Sequence, residues 1–287
     1  MVPFYIYLAI LSMLLVGIAD FVYGRAARKG ISYGTLTCSQ AVFVVVANSI
    51  WAYAAGVLSW SWPFLICGLA AVLFFIAFWA FMRSVSLGEA SVSTPIYRIN
   101  FVATALVAIL FLNEAMTLRK GVGFLLAGIS IFLLSDFRFS PETSKRISGA
   151  SILWAIVAMF SMGSMNIVWK IAATWELPLP MLMHSQAVFF TLIAFTFSYV
   201  TQGGPRFSKD GWIYGILVGG LLILGMACFY LALGRAEVSV VTPISQLSFV
   251  VSVLMATVWM RERLSARKIA GLFLAAATIA AFSISFS

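Results

Sequence analysis

Residues 89–135 read EASVSTPIYRINFVATALVAILFLNEAMTLRKGVGFLLAGISIFLLS, and residues 237–283 read EVSVVTPISQLSFVVSVLMATVWMRERLSARKIAGLFLAAATIAAFS. The two stretches align without a gap, and about two residues in five are identical. The dipeptide Thr-Pro at 94–95 recurs 148 residues later, at 242–243. Farther upstream, SQAVF occurs at 39–43 and again at 185–189. The chain is therefore an internal duplication whose two copies each span about half of its 287 residues.

The composition assigns both copies to a lipid bilayer. Hydrophobic residues make up 63% of the chain and charged residues 9%, whereas the apolar share of a soluble domain is nearer half. The formal charge of +9 would indicate nucleic acid as a partner in a soluble protein. Here the basic residues lie almost entirely between apolar runs, where they act as topology signals. The three cysteines show no paired or metal-type spacing, so we expect no disulfide, no metal site and no cofactor.

Ten apolar stretches are long enough to cross the hydrocarbon core, which takes about 20 residues of helix. They lie near 4–24, 33–55, 63–83, 90–112, 118–136, 149–171, 180–200, 212–233, 238–260 and 266–286. The first stretch lacks a basic segment before it and a small-residue cleavage site, so we predict a membrane helix and not a signal peptide. The fold class that follows is an all-α integral membrane protein with ten transmembrane helices.

Each copy contains five of these helices, which is an odd number. If the two copies fold alike, the second must enter the membrane upside down, and the result is a pair of inverted five-helix repeats, as in secondary transporters. We expect the first repeat at 1–136, a polar linker at 137–147 and the second repeat at 148–287.

The basic residues predict an orientation. Roughly 13 of them lie in the odd-numbered loops, against roughly 4 beside the even-numbered ones, and the positive-inside rule then places both termini outside the cytoplasm.

The motif GEASVSTPI at 88–96, followed by FLNE at 111–114, resembles the EamA-type members of the drug/metabolite transporter superfamily. The second copy, with ALGRAEVSVVTPI at 232–244 and WMRERL at 259–264, resembles them still more closely. The resemblance covers essentially the whole chain. It implies ten helices, a central cavity lined mainly by helices 1, 3, 4, 6, 8 and 9, and carriage of small metabolites such as amino acids, often outward. It also implies cytoplasmic termini, which is opposite to what the charge count predicts.

Pro95 and Pro243 lie about a turn and a half into their predicted helices. A proline at such a position removes one backbone hydrogen bond and clashes with the carbonyl four residues earlier. Within a bilayer the freed carbonyls must face protein, water or a ligand. Because a matched pair of interrupted helices is typical of a transport site, we predict that both prolines kink helices at the site. In the alternative interpretation each proline only sets the entry of its helix.

Asp20 and Arg98 are the two opposite charges that lie deep in predicted helices. Helices 1 and 4 run in opposite directions, so the two side chains lie at similar depth and can pair. A charge inside a membrane is costly unless it is paired or wetted, and it marks a functional site by default. We predict that Arg98 holds a substrate carboxylate, while Asp20 holds an ammonium group or takes a coupling proton. The alternatives are a structural ion pair, or an Arg98 side chain that reaches to the interface.

Two further polar residues join the predicted site. The second copy has Gln246 where the first has Arg98, so the predicted binding site is asymmetric, as an asymmetric substrate requires. His184 is the only histidine of the chain, and it would suit proton coupling because histidine changes its charge near neutral pH. A histidine at the interface with no role is the alternative.

Aromatic residues inside the predicted helices are candidates for the wall of a cavity, where they would offer cation–π faces to an amine. They are Trp79, Tyr97, Trp154, Trp169 and Tyr230. Ordinary helix packing explains each of them as well.

Glu114 and Glu262, at the ends of the fourth and ninth predicted helices, are expected to pair with nearby basic residues for structural reasons. The basic residues considered are Arg119, Lys120, Arg263 and Arg267.

These observations predict a secondary transporter, an exporter or exchanger of small metabolites, with amino acids or similar zwitterions as the first substrate class. No nucleotide-binding loop is present in the sequence, so we expect no transport driven by ATP. The single histidine and the lack of paired intramembrane aspartates argue against a membrane enzyme, and we expect no catalytic residues. The alternatives are a carrier of amines or quaternary ammonium solutes and a flippase of a lipid-linked intermediate. We expect a multi-pass protein of the inner or plasma membrane, without nucleic acid as a partner. The sequence leaves proton coupling, direction of transport, and monomer against homodimer open.

Overall fold

A computed structural model describes residues 3–58, 61–88, 90–135, 148–260 and 265–283, and within these ranges all regular elements are helices. They are α1 (Phe4–Arg28), α2 (Tyr33–Ala54), α3 (Trp62–Leu87), α4 (Ala90–Arg98), α5 (Asn100–Phe111), α6 (Leu118–Leu134), α7 (Gly149–Thr174), α8 (Leu179–Gln202), α9 (Lys209–Leu233), α10 (Val238–Gln246), α11 (Ser248–Met260) and α12 (Ala266–Ser283). The predicted linker and Glu262 lie outside the described residues.

Nine helical spans in the described ranges are long and apolar enough to cross a membrane. Two of them combine a pair of short helices, α4 with α5 and α10 with α11. The predicted span that is not among these nine is the fifth, 118–136, which corresponds to α6. Its 17 residues give about 26 Å of helix, slightly less than the ~30 Å of a hydrocarbon core. The predicted all-helical membrane architecture is therefore confirmed, whereas the count of ten crossing helices stays a prediction.

The helix ends follow from local sequence. Side-chain oxygens cap the first turns of α2, α6, α7 and α9, as is usual for serine and threonine at this position. The four capping residues are Ser32, Thr117, Ser148 and Ser208. Helix α8 ends at Gln202 and is followed by Gly203, whose φ of 72° is in the left-handed region, where glycine carries no steric penalty. Helices α1 and α3 each continue four residues beyond their predicted ends.

The fourth and ninth predicted helices are each divided in two. The interruptions fall at Ile99 and Leu247, which occupy equivalent positions of the two copies. Pro95 and Pro243 lie inside α4 and α10, four residues before the break. The interruption is thus displaced from the proline itself. In the first copy the side-chain amide of Asn100 donates to the carbonyl of Tyr97 at 3.0 Å, which satisfies a carbonyl next to the break.

The two halves of the chain pack mainly against each other. Helix α3 packs along α7, α1 along α9, and α6 along α12. When each helix is replaced by its counterpart in the other half, the α3–α7 pair becomes the α9–α1 pair, and α6–α12 becomes itself. The contacts between the halves therefore follow the same pseudo-twofold relation as the duplication in the sequence.

Two equivalent glycines let a long helix of one half lie close to a broken helix of the other half. A methyl group on Gly17 of α1 would lie 2.2 Å from the carbonyl oxygen of Ser248 and 2.6 Å from Cβ of Val251. A methyl group on Gly163 of α7 would lie 3.2 Å from the carbonyl oxygen of Asn100. Both glycines thus press a long helix against the start of the second segment of a broken helix, and small residues are common where membrane helices come close.

We expect Gly17→Ala to lower the free energy of unfolding by about 1–3 kcal/mol, because the added methyl group overlaps backbone atoms that cannot rotate away. The matched control is Gly24→Ala in the same helix, since the added methyl group meets no atom of another described element within 4 Å. Its effect should be neutral or stabilising by up to about 1 kcal/mol. Unfolding by denaturant in detergent micelles measures both, and equal effects would contradict the close approach at Gly17.

Helices α6 and α12 cap each other. Arg119 at the start of α6 donates from Nε to the carbonyl of Ala281 at 2.6 Å and from Nη2 to the carbonyl of Phe282. Arg267 at the start of α12 donates from Nη2 to the carbonyl of Phe132 at 2.6 Å. The two arginines are equivalent in the duplication. Because each supplies positive charge to the carbonyl end of its neighbour, the helix dipoles favour both contacts.

Candidate substrate cavity

A cavity of about 200 Å³ lies between the two halves. Its wall includes residues of α1, α3, α4, α7, α9, α10 and α11, which correspond to the six predicted spans that the family resemblance assigned to a central cavity. Tyr33 of α2 and Phe190 of α8 complete the wall. The cavity therefore draws on both copies of the duplication.

An ion pair lies in the cavity wall where the two broken helices meet. Arg98 is the last residue of α4, and Ser248 is the first residue of α11. Arg98 donates from Nη2 to Oδ2 of Asp20 at 2.7 Å and from Nη1 to Oγ of Ser248 at 2.9 Å. The Asp20 side chain is 30% exposed and the Arg98 side chain 16%. The predicted contact between Asp20 and Arg98 is confirmed, and Ser248, which the sequence did not single out, joins it.

The guanidinium group retains unused bonding capacity. Its Nε is buried and hydrogen-bonds to no residue of the described ranges. The group lies 5.8 Å from the centre of the Phe249 ring, which adds a cation–π contact. Arg98 thus links α1 and α11 to the end of α4, while its Nε has no acceptor among the residues that the structure describes.

The second half has neutral polar residues at the equivalent positions. Asn166 occupies the position equivalent to Asp20, Gln246 that of Arg98, and Asn100 that of Ser248. Nδ2 of Asn166 lies 3.4 Å from Oδ1 of Asn100. Both Asn166 and Gln246 line the cavity. The charges of the cavity therefore lie on the first half, while amides face them from the second.

Aromatic side chains form most of the remaining wall. Nine of them face the cavity within the described residues: Tyr23, Tyr33, Phe74, Phe78, Phe81, Tyr97, Trp169, Phe190 and Phe229. The two predicted members, Tyr97 and Trp169, each pack on a further ring, at 4.8 Å from Phe81 and 6.0 Å from Phe229. The surroundings of the ion pair are consequently apolar, which strengthens electrostatic interactions there.

Three predicted aromatic residues are not among those that line the cavity. Trp79 and Trp154 pack edge to face at 5.0 Å, and Trp79 is 39% exposed on the outside of the protein. The hydroxyl of Tyr230 donates to the carbonyls of Ala172 and Leu177, at 3.1 and 2.6 Å, and so ties α9 to the end of α7. Packing accounts for all three, and a role in substrate binding receives no support from their positions.

His184 links two helices away from the cavity wall. Its Nδ1 lies 3.1 Å from Oγ of Ser49 in α2, and its ring centre lies 5.6 Å from that of Phe64 in α3. The side chain is buried. A role of His184 in proton coupling stays a prediction.

Glu114 has a structural role that the sequence only partly predicted. Its buried carboxylate accepts hydrogen bonds from the backbone amides of Val238 at 2.7 Å and Ser239 at 3.1 Å, and from the hydroxyl of Ser239. The carboxylate therefore caps the first turn of α10, where the helix dipole favours negative charge. The expected basic partner was wrong, because Lys120 pairs instead with Glu237 at 2.9 Å and Arg119 caps α12.

A helical membrane protein with a polar pair at two broken helices and a cavity between duplicated halves has the architecture of a solute carrier. Residues 3–136 and 149–284 match the EamA-like transporter family, and the chain belongs to this family. The resemblance inferred from the sequence motifs is therefore confirmed, and the protein is a multi-pass membrane protein of a transporter family.

Comparison with solved structures agrees with this architecture. One of them, whose title reads only "Crystal structure of protein", aligns with a TM-score of 0.80 over 96% of this chain and 95% of that chain. The sequence identity is 13%, so the likeness shows the fold alone. No curated protein matches the chain.

Proposed function

We propose that this protein is a secondary transporter, an exporter or exchanger, that carries a small zwitterion by alternating access. An amino acid is the first candidate. The observation that carries the proposal is the Asp20–Arg98 ion pair in the cavity wall. The equivalent position in the second half has Asn166 and Gln246, so this architecture does not need an ion pair for packing. A charge pair retained at one of two equivalent places favours a role in binding.

The geometry supports an exchange of partners on binding. A substrate carboxylate would take the place of the Asp20 carboxylate along the N–H edge of the planar Arg98 guanidinium, which suits two parallel hydrogen bonds. The substrate ammonium would then pair with the released Asp20. Every charge stays paired during this exchange, so neither protein group is left buried and alone, which would be costly. The Ser248 hydroxyl, 2.9 Å from Arg98, is a further donor for the carboxylate.

The size of the cavity favours a small solute. Its volume of about 200 Å³ is below the ~300–1,000 Å³ that is usual for pockets that hold drug-sized ligands. An amino acid is compatible with this volume, and the aromatic wall would cover an apolar side chain.

Helix directions support an inverted arrangement of the two repeats. Ser84 near the end of α3 donates to the carbonyl of Ser151 near the start of α7 at 2.7 Å, and five residues earlier Trp79 contacts Trp154. The contacts progress in opposite directions, so α7 is antiparallel to α3. Helix α1 runs parallel to α3, because α2 returns between them. Since α7 is the counterpart of α1, the two repeats, divided at 136 and 148 as the sequence suggests, have opposite directions.

A carrier of amines or quaternary ammonium solutes is the second candidate. The nine aromatic side chains of the wall favour it, because a cation without a carboxylate would bind over ring faces. Such a solute would make no use of Arg98.

Counterflow in proteoliposomes tests the proposal. Purified protein is reconstituted in liposomes preloaded with an unlabelled amino-acid mixture, and uptake of each labelled amino acid is followed with and without a pH gradient. A parallel set is preloaded with choline and assayed with labelled choline. We expect uptake of at least one amino acid. Choline uptake alone would favour the second candidate, and no uptake in either set would contradict both. An effect of the pH gradient on uptake would indicate proton coupling, for which Asp20 and His184 are the candidate residues.

A further inference from the structure

One side-chain hydrogen bond of the first half is not formed between the equivalent residues of the second half. Tyr23 and Trp169 occupy equivalent positions of α1 and α7, and Gln40 and Gln186 occupy equivalent positions of α2 and α8. The hydroxyl of Tyr23 donates to Oε1 of Gln40. By contrast, Nε1 of Trp169 and Oε1 of Gln186 are buried, and neither hydrogen-bonds to anything in the part of the chain that the structure describes.

The residues that carry these two groups line neighbouring cavities. Trp169 lines the substrate cavity, and Gln186 lines a neighbouring pocket of about 60 Å³. The two spaces share four apolar residues, Phe74, Phe190, Leu222 and Met226. Asn48 also lines the smaller pocket, where its Nδ2 donates to the carbonyl of Val44 at 3.0 Å and its Oδ1 has no partner among the described residues.

An open donor and two open acceptors are unusual in a buried region. Trp169 is fully buried, Asn48 is 1% exposed and Gln186 is 8% exposed. Buried polar groups are nearly always hydrogen-bonded, since an unmade bond costs the desolvation of the group without return. A ligand group with one acceptor and two donors would satisfy all three atoms.

We propose that Trp169, Gln186 and Asn48 form a subsite for a primary carboxamide on the transported solute. The carboxamide oxygen accepts from Nε1 of Trp169, and its two N–H groups donate to Oε1 of Gln186 and Oδ1 of Asn48. A carboxylate at the same place would direct negative charge at two carbonyl oxygens, and an apolar chain would leave the three atoms unpaired. The subsite therefore selects glutamine or asparagine over glutamate and methionine. For the zwitterionic end of the solute, this inference rests on the proposed function.

The competing explanation is that Trp169 and Gln186 bond to each other, as their counterparts Tyr23 and Gln40 do. The two explanations can be told apart by experiment, because a hydrogen bond between Trp169 and Gln186 would form without any solute.

Indole N–H resonances of the protein, labelled with isotope-enriched tryptophan in detergent micelles, provide the test. Loss of one signal in Trp169→Phe assigns Trp169, and loss of another in Trp212→Phe assigns a control tryptophan that stacks on Phe207 at the start of α9. We expect glutamine or asparagine to shift the Trp169 signal, glutamate and methionine to leave it unchanged, and none of the four to shift the Trp212 signal. Gln186→Leu should weaken the response to glutamine about tenfold, the effect of losing one buried hydrogen bond.

Two results would overturn the subsite. One is a Trp169 signal that glutamine and asparagine do not move. The other is a Trp169 signal that Gln186→Leu shifts without any solute, because the pair would then be closed on itself. The wild-type comparison of glutamine with glutamate needs no variant and so remains decisive if Gln186→Leu does not fold.

Counterflow of labelled glutamine and asparagine separates this inference from the proposed function. A shift of the Trp169 signal by a solute that is not carried would support the subsite and contradict amino-acid transport. Carriage of glutamine without a shift would support the transporter and overturn the subsite.

Discussion

Arg98→Gln is expected to reduce counterflow of a zwitterionic amino acid by about a hundredfold. The variant removes the guanidinium that bonds Asp20 and Ser248 and, in our proposal, the substrate carboxylate. Two hydrogen bonds to a charged group are together worth about 3 kcal/mol, which is about a factor of a hundred in affinity. The initial rate of labelled uptake at low substrate concentration measures the effect. Counterflow of choline should remain if the protein also carries amines.

The duplication itself supplies the control for this variant. Asp20→Asn combined with Arg98→Gln copies the arrangement of Asn166 and Gln246 in the second half. Each single variant leaves one charge without its partner and should lower the free energy of unfolding by about 1–3 kcal/mol, less than for a fully buried pair because Asp20 is 30% exposed. The double variant should unfold like the wild type and still fail to carry the amino acid. Wild-type uptake by the double variant would sink the zwitterion hypothesis.

Glu114→Ala should have the largest effect on stability, a loss of about 3 kcal/mol or more. The buried carboxylate accepts from two backbone amides and one hydroxyl at the start of α10, and bonds to a charged acceptor are worth about 1.5–3 kcal/mol each. Without it the amides of Val238 and Ser239 are left buried and unpaired. Denaturant unfolding in micelles, followed by circular dichroism, measures the change.

The control for Glu114 is the neighbouring carboxylate of Glu237. Its side chain is 46% exposed and pairs at 2.9 Å with Lys120, whose side chain is 5% exposed. In Glu237→Gln the Lys120 ammonium keeps its hydrogen bond to the carbonyl of Ala115 at 2.6 Å, and the new amide oxygen can accept a hydrogen bond from it. The loss should therefore be about 1–2 kcal/mol, below that of Glu114→Ala. If the two variants were equally destabilised, the special position of Glu114 at the helix start would be refuted.

Much of the architecture could be predicted because the two copies are still similar enough in sequence to be aligned. The constant shift between Pro95 and Pro243 assigned equivalent helices, and the same alignment paired Arg98 with Gln246 before any contact was known. The pairing of Asp20 with Arg98 followed from depth alone, since a charge in a bilayer needs a partner. Their role in substrate binding stays a prediction.

The direction in which a side chain points from a membrane helix could not be predicted, because lipid and protein interior accept the same apolar side chains. The residues Trp79, Trp154 and Trp169 all lie within predicted helices. Of these three, only Trp169 lines the cavity. The break at Ile99 likewise lies beside contacts that the sequence did not predict, the Asn100–Tyr97 hydrogen bond and the close approach of Gly163. The cap supplied by Glu114 joins residues 124 positions apart, beyond the reach of a local motif.

The mutual capping of α6 and α12 has a consequence for biosynthesis. The carbonyl end of α6 receives the guanidinium of Arg267, which is translated 135 residues after its acceptor Phe132. The face of α3 that meets α7 is likewise uncovered until the chain has continued past the middle. The helices made first therefore enter the lipid before their main packing partners have been synthesised. The contacts between α6 and α12 form only after α12 has left the ribosome, so a chain that stops before α12 lacks contacts in both halves at once.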